Sequence, residues 1–273
     1  MTGWLIYDQD NIQRNQFFID RWMAAAKEKA VNLKLVTVQE IAYGFSEGKA
    51  VVRNDTNYED TKLAVMRAQH PLLSAHLEAM GIPCFNNARI AYICNNKQKT
   101  YSMFADSLPM IDTAFLEQNA FVNPFSFPVV VKAAHGCGGR GVFLANDEHE
   151  FCQAISQISP DSIIVQKLCD TPGKDLRVYV LGNKIIAGMQ RYSPSDFRSN
   201  VGLGGTSMPI ALTDDIVGYV EHILSYFHFG LVGIDFIFHQ GKPLFNEIED
   251  AVGTRMLYMH TKLDIANDYL NYI

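Results

Sequence analysis

Along the first third of the chain, short apolar runs alternate with longer segments whose apolar residues recur every three or four positions. Trp4 to Asp8 and Leu33 to Val38 read as strands on either side of a helix over Ile12 to Ala30. Lys49 to Arg53 and Leu63 to Arg67 read as further short strands. Pro71 to Met80 reads as a helix, with Pro71 in its first turn and Gly81 just past its end. This alternation predicts an α/β layer with a parallel sheet.

The texture changes after Asn86-Asn87, where turn-forming residues cluster. A helix is expected around Asn96 to Asp106, then strands at Pro128 to Lys132 and Val142 to Leu144. A helix over Asp147 to Ile158 and a strand at Ile163 to Lys167 follow. Leu176 to Leu181 and Lys184 to Gln190 flank Gly182-Asn183, a two-residue hairpin signal. Leu231 to Phe238 and Leu244 to Glu249 form another strand pair. The fold class expected is α/β and α+β: a parallel N-terminal lobe followed by mostly antiparallel sheets. The lobes are placed at residues 1–90, 91–168 and 169–273.

Composition narrows the classes. The chain has 273 residues, 48% hydrophobic and 19% charged, enough apolar content for a buried core. Its net charge of −6 argues against bulk nucleic-acid binding, which relies on basic surface. No apolar run approaches the ~20 residues of a membrane span, and Met1-Thr2-Gly3-Trp4 does not open a signal peptide. The five cysteines are scattered, with no Cys-x-x-Cys pair, as for free thiols in a reducing cytoplasm.

Two segments carry chemistry. The first is Lys132-Ala133-Ala134-His135-Gly136-Cys137-Gly138-Gly139-Arg140-Gly141. A dinucleotide site needs a helix after such a loop, whereas Val142-Phe143-Leu144 is strand-like. A protein-kinase loop places its lysine later, and no His-Arg-Asp or Asp-Phe-Gly segment is present. Strand, glycine loop and strand, with Lys132 on the first strand, suit phosphate binding by backbone N–H groups and one ammonium. The bland reading is a hairpin loop without a ligand.

The second is the hairpin around Asp235. A three-residue turn at Gln240 to Lys242 sets His239 opposite Pro243, Asp235 opposite Glu247 and Gly233 opposite Glu249. Residues opposed across strands share a face, as do i and i+2. Three carboxylates, Asp235, Glu247 and Glu249, would then point one way. Like charges so placed repel, and all-oxygen donors select Mg²⁺ or Mn²⁺. A solvated acidic face in another register is the alternative. Between these segments, Arg177, Arg191 and Arg198 offer forks for phosphate or carboxylate.

The order of these pieces resembles the ATP-grasp superfamily, specifically its RimK-like and glutathione-synthetase-like ligases, over about residues 86 to 256. The resemblance rests most on Val165-Gln166-Lys167, Asp175-Leu176-Arg177, Arg191, Phe197-Arg198-Ser199-Asn200 and Gly204-Gly205. It implies ATP as cofactor with Mg²⁺ (or Mn²⁺), a two-lobed grasp fold, and small-molecule or peptide carboxylate and amine substrates. Lys97 and Lys132 would hold ATP beside the loop glycines Gly136, Gly138, Gly139 and Gly141. Gln166, Lys167 and Leu168 would line the adenine pocket, and Asp175 would bind the ribose hydroxyls. Arg191 and Asn200 match positions near the γ-phosphate and the acyl phosphate, while Asp235 and Glu247 match metal ligands. Glu249 stands where the family has Asn, and Asp250 to Arg255 departs from its Ser-Pro-Gly loop.

The implied reaction is attack of a carboxylate on the γ-phosphate, then displacement of phosphate by an amine. Arg177 or Arg198 would join Arg191 in stabilising the developing charge. The N-terminal lobe is expected to supply part of the acceptor site, with no residue there singled out. A phosphotransferase, a nucleotide-binding regulator without turnover and an oxidoreductase are the rival readings. A homo-oligomer stays open.

Overall fold

The computed structural model describes residues 1–53, 60–117, 122–136, 138–158 and 162–273. Cys137, within the glycine loop, lies outside them. The chain opens with β1 (Thr2–Tyr7), α1 (Gln9–Glu28), β2 (Asn32–Thr37), β3 (Ala42–Ser46), β4 (Lys49–Arg53), β5 (Thr61–Met66), α2 (Pro71–Ala79) and β6 (Cys84–Phe85). Strands run in the order β2-β1-β5-β6, and each neighbouring pair for which the register is defined is parallel. Helix α1 buries Phe18, Ile19, Trp22, Ala25 and Ala26, a single stripe at helical spacing. Strand β4 does not join this sheet. It forms a separate hairpin with β3, a mostly exposed segment with no apolar alternation to reveal it.

Next come α3 (Ala88–Cys94) and α4 (Lys97–Phe104), where one helix was expected. Each has an asparagine cap: Asn87 accepts from the Ile90 N–H and Asn96 from the Lys99 N–H. The asparagines that read as turn formers are thus partly helix starts. Asn86 is buried and donates to the Asp250 carbonyl at 2.8 Å, while the Gly230 N–H donates to it at 2.6 Å.

Strands β7 (Thr113–Leu116), β8 (Val129–Ala133), β9 (Val142–Ala145) and β10 (Ile163–Lys167), with α5 (Glu148–Ile158), form an antiparallel sheet ordered β7-β10-β8-β9. Phe151 and Ile155 of α5 pack on Val129, Val131 and Val165 of that sheet.

A five-stranded antiparallel sheet completes the fold. Its strands are β11 (Lys174–Leu181), β12 (Lys184–Tyr192), β13 (Thr206–Pro209), β14 (Leu231–His239) and β15 (Lys242–Glu249), in the order β13-β12-β11-β14-β15. Helix α6 (Asp214–Leu224) precedes β14, and α7 (Arg255–His260) and α8 (Ile265–Tyr272) end the chain. One sheet face is largely apolar: Leu176, Val178, Ile234, Phe236 and Ile248 meet Tyr101, Phe104, Ile216 and Val220. The other face divides. Tyr179, Met189 and Leu231 join Trp22 and Tyr269 in a core shared with α1, and beyond them the same face turns polar.

Candidate active site between two sheets and the N-terminal lobe

Alternation along the strands builds that polar face. Asp175 and Arg177 stand two apart on β11. Arg191 on β12 lies opposite Asp175, and Asp235 on β14 lies opposite Arg177. Across β14 and β15, Asp235 lies opposite Glu247 and Gly233 opposite Glu249, as the hairpin count expects. The route to that register differs from the count. His239 pairs with Lys242, so the turn is the two residues Gln240-Gly241, both at positive φ. A bulge between Asp235 and Phe236 then inserts Asn246 and restores the frame. The inserted residue enters the site: the Lys132 ammonium donates to Asn246 Oδ1 at 3.0 Å.

The carboxylates are neutralised by side chains. Arg177 donates from Nε and Nη2 to the two oxygens of Asp235, both at 2.7 Å, and its Nη1 lies 2.5 Å from Glu249 Oε2. Arg191 grips both oxygens of Asp175, at 2.7 and 2.5 Å, and also reaches Asp235 at 2.7 Å. Charges therefore alternate in a buried row: Asp175, Arg191, Asp235, Arg177, Glu249. Asp235 is fully enclosed. Its burial alone would raise its pKa, but Arg177 and Arg191 more than offset this and hold it at about 2. Burial likewise works against both guanidiniums, and the facing acids outweigh it. Gly233 makes the row possible, because a Cβ there would come within 3.1 Å of Arg177 Cδ and 2.7 Å of Val252.

This row bears on one expectation. Three carboxylates on one face do need positive charge, but Arg177, Arg191 and Lys97 supply it. Among the described residues, no three acidic, histidine or cysteine side chains form a ready cation site. The donor set, all carboxylate oxygen, still suits a hard divalent ion. Glu247 is the member best placed to meet one: its side chain is 27% exposed, and its partner Lys97 stands 3.3 Å away. Asp175, expected at a ribose, has both oxygens held by Arg191. Glu249 in place of Asn brings a charge that Arg177 already matches.

The glycine loop joins β8 to β9, as strand follows loop in the sequence. Gly136, Gly138, Gly139 and Gly141 all have φ between 67° and 123°, a region L-residues avoid. Two cations pin the loop. Lys97 Nζ donates to the Gly136 carbonyl at 2.9 Å, and Arg198 Nη1 to the Gly139 carbonyl at 3.1 Å. Burial pushes the Lys132 ammonium down to about 8 against the pull of Glu247. Gln166 donates to Thr113 Oγ1 at 2.9 Å, and Lys167 pairs with Asp112 at 2.6 Å, so the two residues brace β10 against its neighbours.

Two cavities meet here. A smaller one, about 110 Å³, lies between the sheets and takes in Lys97, Lys132, the loop glycines Gly136, Gly138 and Gly139, Gln166, Lys167, Leu168, Asp175, Arg198 and Glu247. A larger one, about 550 Å³, opens on its far side towards the N-terminal lobe. Gly138, Arg140, Arg191 and Asn200 line both. Gly141 and Asp235 line neither, while Arg177 and Glu249 face the larger cavity alone. That cavity also holds residues the sequence reading passed over: Asp8, Arg14, Arg67, Gln69, Arg140 and Arg255. Asp8 and Arg67 directly follow β1 and β5. The carboxyl ends of parallel strands are where open α/β sheets place ligands, and that rule was the available signal.

An antiparallel pair of sheets closing on a glycine loop, with a preceding parallel lobe, defines the ATP-grasp class of ligases. The RimK-like ATP-grasp domain matches residues 108–273, and the chain belongs to that family. A probable alpha-L-glutamate ligase of Rhodopirellula baltica is 24% identical over 93% of this chain and 67% of its own length. The glutamate–LysW ligase ArgX of Sulfurisphaera tokodaii is 28% identical over 73% and 76%. Among solved structures, a RimK domain ATP-grasp protein of Sphaerobacter thermophilus superposes with a TM-score of 0.76 at 16% identity, covering 100% of this chain and 99% of that one. The D-alanine–D-alanine ligase of Bacillus anthracis, complexed with ATP, gives 0.73 at 14% identity, covering 100% and 96%. At these identities the two structures speak to the fold. No helix among the described residues is long and apolar enough to cross a membrane.

Proposed function

We propose that the chain uses ATP to join a carboxylate to an amine through an acyl phosphate, and that one of the two substrates is an acidic amino acid or acidic peptide. The observation that carries this reading is the shared boundary of the two cavities. A phosphate donor in the smaller one and an acid in the larger one would meet at Arg191, Asn200 and the glycine loop. Attack of the carboxylate oxygen on the γ-phosphorus forms the acyl phosphate and releases ADP. The amine then displaces phosphate. Lys97 and Lys132 offer charge to the phosphates, and Arg191 offers fixed charge where negative charge builds. Gln166, Lys167 and Leu168, which line the smaller cavity, would meet the base.

The charge of the larger cavity favours an acidic substrate. Six arginines line it against two carboxylates, Asp8 and Glu249. Even with Arg177 and Arg191 matched by Asp175, Asp235 and Glu249, the remaining arginines outnumber Asp8 on its wall. The relatives named as glutamate ligases agree with that chemistry. Asp235, Glu247 and Glu249 would hold Mg²⁺, which when bound would neutralise charge on the transferring phosphoryl group.

The test is ADP release with hydroxylamine as the amine, across acidic amino acids, acidic peptides and neutral controls. Hydroxamate formed in step with ADP, and strongest with an acid carrying a second carboxylate, is the expected result. ADP without hydroxamate, or a phosphorylated stable product, would contradict it.

A further inference from the structure

Ligation needs an amine that has shed its proton, yet an amino acid at neutral pH presents an ammonium. The larger cavity is hostile to cations, with six arginines along its walls. Of its two carboxylates, Glu249 lies against the Arg177 guanidinium at 2.5 Å. Asp8 is the other. It directly follows β1 and occupies the N-cap position of α1, but its side chain makes no cap hydrogen bond. Its Oδ1 lies 2.9 Å from His70 Nε2, and the side chain is 24% exposed. Two buried neighbours on the same wall, Tyr7 Oη and Arg67 Nε, have no hydrogen-bond partner.

We propose that Asp8 receives the ammonium of the amine substrate and takes its proton, with His70 holding the carboxylate in place. This rests on the ligase reading above. In the step, one N–H bond of the ammonium breaks and the proton passes to Asp8. The freed lone pair forms the C–N bond at the acyl carbon. The C–O bond to phosphate breaks, and phosphate leaves with that electron pair and takes the second amine proton. An arginine-lined pocket thereby gains one anionic spot, which selects a substrate carrying both carboxylate and ammonium.

Hydroxylamine is mostly uncharged at neutral pH and needs neither an anionic anchor nor a base. The experiment therefore compares L-glutamate with hydroxylamine as the amine, using N-acetyl-L-glutamate as the acid. In Asp8→Asn, kcat/KM for L-glutamate should fall on the order of 10–100-fold, as expected for a lost charged hydrogen bond. Hydroxamate formation should fall far less. Asp8→Glu, which keeps the charge, should recover much of the ligation, and ATP affinity and the unfolding midpoint should stay near wild type in both. Equal losses with the two amines, or full ligation by Asp8→Asn, would overturn the assignment. Absence of hydroxamate from the wild-type enzyme would instead sink the ligase reading with this acid, and the proposal with it.

Discussion

The two cavities differ in how their charge is held. The smaller one sets the ammoniums of Lys97 and Lys132 and the backbone of three loop glycines beside Arg198; the lysines are compact and adjustable, and Lys132 is titratable near pH 8. The larger one relies on guanidiniums, whose charge persists at any working pH and whose planar forks match carboxylates. Between them runs the row from Asp175 to Glu249, in which each buried charge has an opposite neighbour. The difference shows how one polar sheet face can serve two ligands: a rigid ion row sets its shape, and separate cations on either side set what each cavity prefers.

The strongest way to break that separation is to cut the row. Asp235→Ala removes the carboxylate between two buried guanidiniums, leaving Arg177 and Arg191 facing each other with only their outer partners Glu249 and Asp175, and should cost about 3–5 kcal/mol in denaturant unfolding. Loss of function at both cavities together would follow. Substitutions on either side should act on one cavity only. Lys132→Met should weaken ATP binding on the order of 10–100-fold in calorimetry while barely changing KM for the acid. Arg255→Gln, exposed on the other wall, should raise KM for the acid about three- to fivefold with ATP affinity intact.

Smaller effects sharpen the picture at the edges. Asp250 is buried beside the row, and burial raises its pKa to about 6 despite the hydrogen bond from Asn95 at 3.1 Å. A carboxyl raised in the fold contributes stability below its unfolded value near 4, and that contribution is lost as pH rises towards 6. Asp250→Asn should therefore stabilise the protein at pH 7 by about 1–2 kcal/mol, and should flatten the decline between about pH 4 and 6. Lys132 gives the smallest and most specific effect. Its charge is present below about pH 8 and lost above it, so ATP affinity should fall a few-fold as pH rises through that value. Lys132→Arg should remove the dependence, because a guanidinium does not titrate there.

The smaller cavity was legible in the sequence because its parts are local. The glycines and Lys132 fall within ten residues, and the hairpin places Asp235 and Glu247 by simple alternation. Even there, a wrong turn length and an unseen bulge cancelled, and Asn246 went unnoticed. The ion row was harder to read. Strand order decides that Arg177 meets Asp235, and no run of residues along one strand encodes the neighbour across it. The larger cavity was the least legible. Asp8, Arg67, Arg140 and Arg255 are distant in sequence, and only packing of the parallel lobe against the five-stranded sheet gathers them. Short exposed strands such as β3 also escaped, since nothing on them alternates.

The central claim is that a phosphate donor and a carboxylate meet at Arg191 and Asn200. Tracing a heavy-oxygen label from the substrate carboxylate tests it most directly. Transfer of one labelled oxygen into inorganic phosphate at each turnover, with ADP as the other product, is the expected result. Unlabelled phosphate, or release of AMP with pyrophosphate, would contradict it.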